Sequence, residues 1–257
     1  MYRQLRIGVV IPAYNEENAI AATVAAVPEY VDKIMVVDDG SSDETAQRAT
    51  IRPDVCIIRH PTNRGVGGAI ATGYRRALDS FCDVAVVMGG DGQMDPQDLP
   101  ALLDPIASGN ADYVKGNRFL HPDIWREMPF ARIVANAALS IATRITSGYR
   151  HVFDSQCGYT AAHRDILTKL DLDELWARYG YPNDLLSRLH TVGARVEDVA
   201  VRPIYGEHWK SGIGLTAAVH PMPWVLLRSW GTRLASEWGA KAPMAERRRA
   251  EARNTVE

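Results

Sequence analysis

The chain predicts an α/β domain built on a mostly parallel, mixed sheet, and three strand ends predict it. Residues 7–16 read IGVVIPAYNE, where Val9, Val10 and Ile11 form a β-branched run that Pro12 stops. Residues 34–43 read IMVVDDGSSD, a second apolar run ending on Asp38 and Asp39. Residues 83–88, DVAVVM, run into Gly89, Gly90, Asp91, Gly92 and Gln93. Continuous apolar strands imply a sheet covered on both faces by helices, and such sheets bind ligands beyond the carboxyl ends of their strands. Tyr14, Asn15, Glu16, Asp38, Asp39 and Asp91 are therefore expected around one crevice. Ordinary polar turn residues are the alternative, and the recurrence of the pattern at one-helix spacing counts against it.

The remaining elements follow in order. Residues 17–27 form an alanine-rich helix stopped by Pro28, and residues 44–49 a short helix after Asp43. Residues 55–58 form a strand leading into a glycine-rich loop, His60 to Gly68, that opens a helix over 69–78. A loop of this kind aims N–H groups and the positive end of the helix dipole at an anion. Glycines that only admit tight helix packing are the competing reading. At the third strand end, glycines let the backbone approach a ligand, while the Asp91 carboxylate and Gln93 amide oxygen suit Mg²⁺ or Mn²⁺ bridging a diphosphate. Asp95 before Pro96 reads as a helix N-cap. The strand over 112–115 ends in Lys115 and Arg118, two cations suited to phosphate. A helix running from Arg132 to about Thr146, another opening at residues 181–186 and a strand over 196–204 complete the domain.

Composition fits an enzyme of this class. At 257 residues the chain can bury a sizeable core as one domain. A net charge of −2 gives no basic footprint for nucleic acid. Cys56, Cys82 and Cys157 lack the spacing of a disulfide framework or a zinc site, which points to a reducing, cytoplasmic setting. The first strand begins too early for a signal peptide, and no stretch has the apolar length of a membrane span. Any membrane contact is expected to be peripheral.

Four linked motifs carry a resemblance: residues 12–16 (PAYNE), 37–43 (VDDGSSD), Asn63-Arg64-Gly65 with Gly67 and Gly68, and Asp91-Gly92-Gln93. Together they resemble the family 2 glycosyltransferases of the GT-A fold, and within them the polyprenyl-phosphate sugar synthases related to dolichyl-phosphate mannose synthase. The resemblance implies a Rossmann-like GT-A domain over residues 1–212. It implies a nucleotide-sugar site made by Pro12, Ala13, Tyr14, Glu16, Asp38, Asp39, Arg64, Gly68, Asp91 and Gly92, closed by Arg202 and Lys210. It places a divalent metal on Asp91 and Gln93, although Gly89 stands where the family's D-x-D signature has its first aspartate. It assigns Arg118 and Arg132 to the acceptor phosphate, with Lys115 as helper, although Arg132 also reads as an ordinary surface arginine. Residues 153–160 resemble a family strand containing Asp154, which also reads as a turn aspartate. Asp184 is the candidate general base, should one be required. Asp91, Asp184 and Arg118 are the expected catalytic residues.

The resulting expectation is inverting transfer of a sugar from a UDP- or GDP-sugar to a polyprenyl phosphate, assisted by Mg²⁺ or Mn²⁺, at the inner face of the plasma membrane. A phosphate monoester attacks as an anion, whereas a sugar hydroxyl on a lipid-linked or polysaccharide acceptor requires a base in reach, which keeps that second reading tied to Asp184. A sugar-nucleotide-binding module with little turnover is the alternative from another class. Residues 213–240 place Val225, Leu226, Leu227, Trp230, Leu234 and Trp238 at helical spacing among Arg228 and Arg233. That pattern suits an amphipathic helix at a membrane interface, or one packed on the core or on a second copy in a homo-oligomer. Residues 241–257 read as a solvated tail.

Overall fold

The computed structural model describes residues 1–205 and 222–241. A seven-stranded sheet has the order β3-β2-β1-β4-β6-β5-β7. Its strands are β1 (Ile7–Ala13), β2 (Lys33–Asp38), β3 (Val55–Arg59), β4 (Val84–Val87), β5 (Tyr113–Asn117), β6 (Thr160–His163) and β7 (Val196–Ala200). Strands β1 to β4 pair in parallel, with Ala13 opposite Asp38 and Val10 opposite Val87, so their polar ends emerge together. Among the described strands only β6 runs antiparallel, between β4 and β5.

The helices are α1 (Ile20–Ala26), α2 (Thr45–Arg48), α3 (Val66–Asp79), α4 (Leu99–Ala107), α5 (Ile124–Glu127), α6 (Phe130–Ser147), α7 (Arg164–Leu167), α8 (Tyr181–Thr191) and α9 (Met222–Lys241). Side chains alternate across a strand, so each apolar run feeds two cores. Val10, Met35, Val37 and Val87 pack on one face with Ile70 and Tyr74 of α3 and Leu185 and Leu189 of α8. Val9, Ile11, Val36 and Val86 pack on the other with Ile20 and Val24 of α1 and Leu99 and Leu102 of α4.

Two expected strands change. The strand expected over 196–204 stops at Ala200, because the Arg202 N–H turns to Asp98 Oδ2 at 2.7 Å and Pro203 has no N–H to offer the sheet. Residues 153–159 are not strand. Asp154 has φ +45° and its carbonyl accepts the Cys157 N–H at 3.0 Å, a turn that delays the strand to Thr160. The helix expected from residue 17 begins at Ile20. The expected tail over 241–257 lies almost wholly outside the described residues.

Candidate active site

The loops after β1 and β2 lock together before either can meet a ligand. Asn15 has φ +56°, and its N–H donates to Ser41 Oγ at 2.9 Å while its Oδ1 accepts the Ser42 N–H at 3.0 Å. The Glu16 N–H donates to Thr45 Oγ1 at 2.8 Å, and Asp43 accepts from the backbone N–H groups of Glu17 and Thr45. These bonds hold the PAYNE segment over the end of β2. Tyr14 is left 49% exposed, while Pro12 is half-buried and Ala13 is buried in the core on one face of the sheet.

The β4 end lies alongside. The Gly90 N–H donates to Pro12 O at 3.2 Å, and a side chain on Gly90 would meet Ala13 Cβ at 3.1 Å. Asp91 Oδ1 accepts the Gln93 N–H at 3.1 Å, so Gly92 rounds the turn at φ +73°. Asp91 reaches solvent from within a recess, and burial raises its carboxyl above the ordinary range. Glu16 is pushed up to about 7, first by burial and then by the charges of Asp91 and Asp43. The charge of Asp91 thus disfavours ionisation of Glu16, which places the two carboxyls near one another.

Asp38 and Asp39 are placed differently from the expectation that they face the donor. Asp38 is fully buried, its Oδ1 accepting the Ser41 N–H at 2.9 Å and its Oδ2 lying 3.1 Å from Arg59 Nε. Asp39 accepts the N–H groups of Arg64 at 2.9 Å and Gly65 at 2.7 Å, and lies 2.6 Å from His60 Nδ1. Asp38 thus fixes the turn after β2, and Asp39 ties the glycine-rich loop to that strand.

That loop takes the packing alternative. A Cβ on Gly67 would lie 2.1 Å from Trp176 O, and one on Gly65 would lie 2.5 Å from Ala177 O. The Gly68 N–H, in the first turn of α3, donates to Ala177 O at 3.1 Å. The helix N-terminus is therefore capped in part by a backbone carbonyl of residues 174–180, while Arg64 stays exposed at the rim. The same segment carries Tyr179, 43% exposed, whose phenol is raised by burial and by the charges of Glu16 and Asp91.

A basic cluster sits beyond β5. Arg118 makes a bidentate pair with Asp154, which is fully buried, and its Nη1 donates to Tyr205 Oη at 3.0 Å. Burial alone would raise the Asp154 carboxyl, but Arg118 and then Lys115 bring it below the ordinary range. Arg132, in the first turn of α6, places its guanidinium 5.8 Å from the centre of the Tyr205 ring. Tyr205 thus joins the two arginines.

The glycosyl transferase family 2 model matches residues 8–171. The chain belongs to that family. This family 2 glycosyltransferase is 32% identical over 219 residues to the UDP-N-acetylglucosamine--dolichyl-phosphate N-acetylglucosaminyltransferase of Methanococcus voltae, covering 79% of this chain and 87% of that one. It is 33% identical over 239 residues to the undecaprenyl-phosphate mannosyltransferase of Micrococcus luteus, covering 88% and 96%. Among solved structures, glucosyl-3-phosphoglycerate synthase of Mycobacterium tuberculosis, crystallised with Mn²⁺, UDP and phosphoglyceric acid, aligns at a TM-score of 0.69. That alignment covers 89% of this chain and 79% of the other at 22% identity, a likeness of fold, and the fold is GT-A.

Several residues of this glycosyltransferase depart from their expected places. Lys115 is fully buried and its ammonium donates to Cys157 O, so it braces the basic cluster from inside the sheet and cannot reach a ligand. Asp184 is fully buried on α8. Its Oδ2 accepts the Trp176 N–H at 3.0 Å and Arg188 Nε at 2.9 Å, which removes it from the crevice as a base. Arg202 pairs with Asp95 at 3.2 Å near the start of α4. Asp95 accepts the Gln97 N–H at 2.9 Å, the expected N-cap bond. Lys210 lies outside the described residues. Tyr179 and Tyr205 were not singled out by sequence, because each stands in an irregular segment whose place depends on elements far away in the chain.

Proposed function

We propose that this glycosyltransferase moves a sugar from a UDP- or GDP-sugar to the phosphate of a polyprenyl phosphate, with inversion, while resting on a membrane surface. The observation that carries this reading is the position of Arg132. It lies at the head of α6, whose outward face exposes Phe130 at 72%, Val134 at 53%, Ile141 at 53% and Ile145 at 66%. A cation at the end of an exposed apolar stripe matches a ligand with an anionic head and an apolar tail. On α9, which packs against α6 and α8, Trp224, Leu227, Trp230 and Trp238 are also exposed, as suits an amphipathic surface in the lipid headgroup region. Among the described residues no helix is long and apolar enough to cross a membrane. The names of the two relatives include a dolichyl-phosphate and an undecaprenyl-phosphate. A place on the inner face of the plasma membrane follows from the same reading.

In the transfer, an acceptor phosphate oxygen bonds to the anomeric carbon as the bond from that carbon to the nucleoside diphosphate oxygen breaks. Arg118, oriented by Asp154, and Arg132 hold the attacking phosphate. That phosphate needs no base, which accords with the burial of Asp184 against Arg188 and weighs against a sugar hydroxyl as acceptor. The donor set fits Mg²⁺ or Mn²⁺ shared with the diphosphate. Asp91 and Gln93 would hold the cation with Glu16 beside them, and among the described residues no three His, Cys, Asp or Glu side chains group to cage a metal alone. Such a cation neutralises charge on the departing diphosphate.

The test is incubation of the protein and membranes with radiolabelled UDP- and GDP-sugars. Label in a lipid that mild acid releases is expected. Label in polymer would instead assign a hydroxyl acceptor, and donor binding without transfer would assign a binding module.

A further inference from the structure

The segment over 174–180 is held between the first turn of α3 and the helix α9. Toward the crevice, Ala177 O accepts the Gly68 N–H, Gly65 and Gly67 lie directly against the backbone of Trp176 and Ala177, and Tyr179 stands at the mouth. Away from it, α9 grips the same residues. Arg228 Nη2 donates to Glu174 O at 3.1 Å, and its guanidinium lies 5.7 Å from the centre of the Trp176 ring. Trp176 Nε1 in turn donates to Tyr179 O at 2.9 Å. Val225, fully buried on α9, would be within 3.1 Å of any Cβ at Gly180. Asp184 closes the network: its Oδ2 accepts the Trp176 N–H, while its buried Oδ1 has no hydrogen-bond partner and lies 4.0 Å from Arg228 Nε.

We propose that Arg228 is a positioning residue for the nucleotide-sugar: through Trp176 it fixes residues 174–180 as the outer wall of the donor site. The inference rests on the reading that the Glu16 and Asp91 crevice takes the donor. It assigns α9 a second task beside its exposed tryptophans. A guanidinium suits that task because its planar fork can lie over an indole and meet a carbonyl and a carboxylate at once, as an ammonium cannot. The segment has no strand or long helix of its own, so its place relative to α3 depends on these contacts.

The test uses the full chain without lipid, titrated calorimetrically with UDP and with GDP in Mg²⁺. Arg228→Ala should weaken nucleotide binding about 2- to 30-fold, the range for residues acting through a packed network. Arg228→Lys should fall between Arg228→Ala and the wild type. Trp176→Phe, which keeps the ring but loses the bond to Tyr179 O, should weaken binding in the same direction. Gly231→Ala, on the same helix in open space, should leave the affinity unchanged. In turnover with a short soluble prenyl phosphate, the donor KM should rise while kcat and the acceptor KM hold. Folded Arg228→Ala and Trp176→Phe variants that bind nucleotide as the wild type does would overturn the inference and leave the donor site standing. A wild-type protein that binds neither nucleotide would overturn the donor site itself.

Discussion

Asp154 and Arg118 form a two-pronged ion pair, Nε to Oδ2 at 2.7 Å and Nη2 to Oδ1 at 2.8 Å, and the Arg118 backbone N–H adds a bond to Oδ2 at 2.9 Å. On the proposed reading this division follows: Arg118 serves the fold through Asp154 as well as the acceptor phosphate, whereas Arg132, which meets the Tyr205 ring, serves the phosphate. Asp154→Ala leaves a buried guanidinium without its partner and should lower the unfolding free energy by about 3–5 kcal/mol. Arg132→Ala should change stability by less than about 1 kcal/mol and raise the acceptor KM. Denaturant titrations beside acceptor kinetics check both, and a large stability loss in Arg132→Ala would erase the division.

Asp39→Ala should weaken nucleotide binding and also destabilise the fold. The carboxylate accepts two backbone N–H groups of the glycine-rich loop, and hydrogen bonds to a charged group contribute about 1.5–3 kcal/mol each. Calorimetry with the nucleoside diphosphate and a thermal melt read the two effects. Lost affinity at full stability would return Asp39 to direct ligand contact.

Glu16 gives the apo protein a pH signature. Its carboxyl rises from 4.5 to about 7 in the folded chain, so the folded state holds its proton more tightly than the unfolded one. Stability from this group is full at low pH, falls as pH rises from about 4.5 to about 7, and levels off above. Relative to wild type, Glu16→Gln should gain about 1–2 kcal/mol above neutrality, a value reduced for partial exposure, and nothing near pH 4. Melting temperatures across that range check the sign. Cation affinity should fall with acidification through pH 7, as Glu16 takes up its proton.

Two glycines in helices should respond oppositely to alanine. At Gly67 the new methyl meets the Trp176 carbonyl carried by a constrained segment, and the cost should be at least about 1–3 kcal/mol with weaker donor binding. At Gly231 nothing stands within 4 Å, and alanine should stabilise α9 by up to about 1 kcal/mol. Chemical denaturation of the two variants decides.

The parallel core was legible because the runs at Val9–Ile11, Ile34–Val37 and Val84–Val87 feed both faces of the sheet and tolerate no polar interruption. The nearness of Glu16 to Asp91 was legible, because each lies a few residues past the end of one of two adjacent parallel strands. Asp39 and Lys115 were harder to read, since a strand-end polar residue can turn outward to ligand or inward to backbone, and the partners that decide, Gly65 and Cys157, are remote in sequence. Asp184 shows the same limit: Arg188, one turn on, already offered a mate, but only the fold shows that the pair is buried. Residues 174–180 carried no periodic signal, so their contacts with α3 and α9 came from tertiary structure alone.

The placement of β6 sets an order on how the chain can assemble during synthesis. Strands β1 to β4 can pair as they leave the ribosome, each finding a neighbour already present. Strand β5 cannot join them, because its place in the sheet is separated from β4 by residues 160–163, which emerge later. Until then the β4 edge, Val84 to Val87, stays open, a short apolar strand of the kind that pairs with foreign chains. Pauses in translation between about residues 90 and 160 should therefore be the moments at which this enzyme most needs a chaperone.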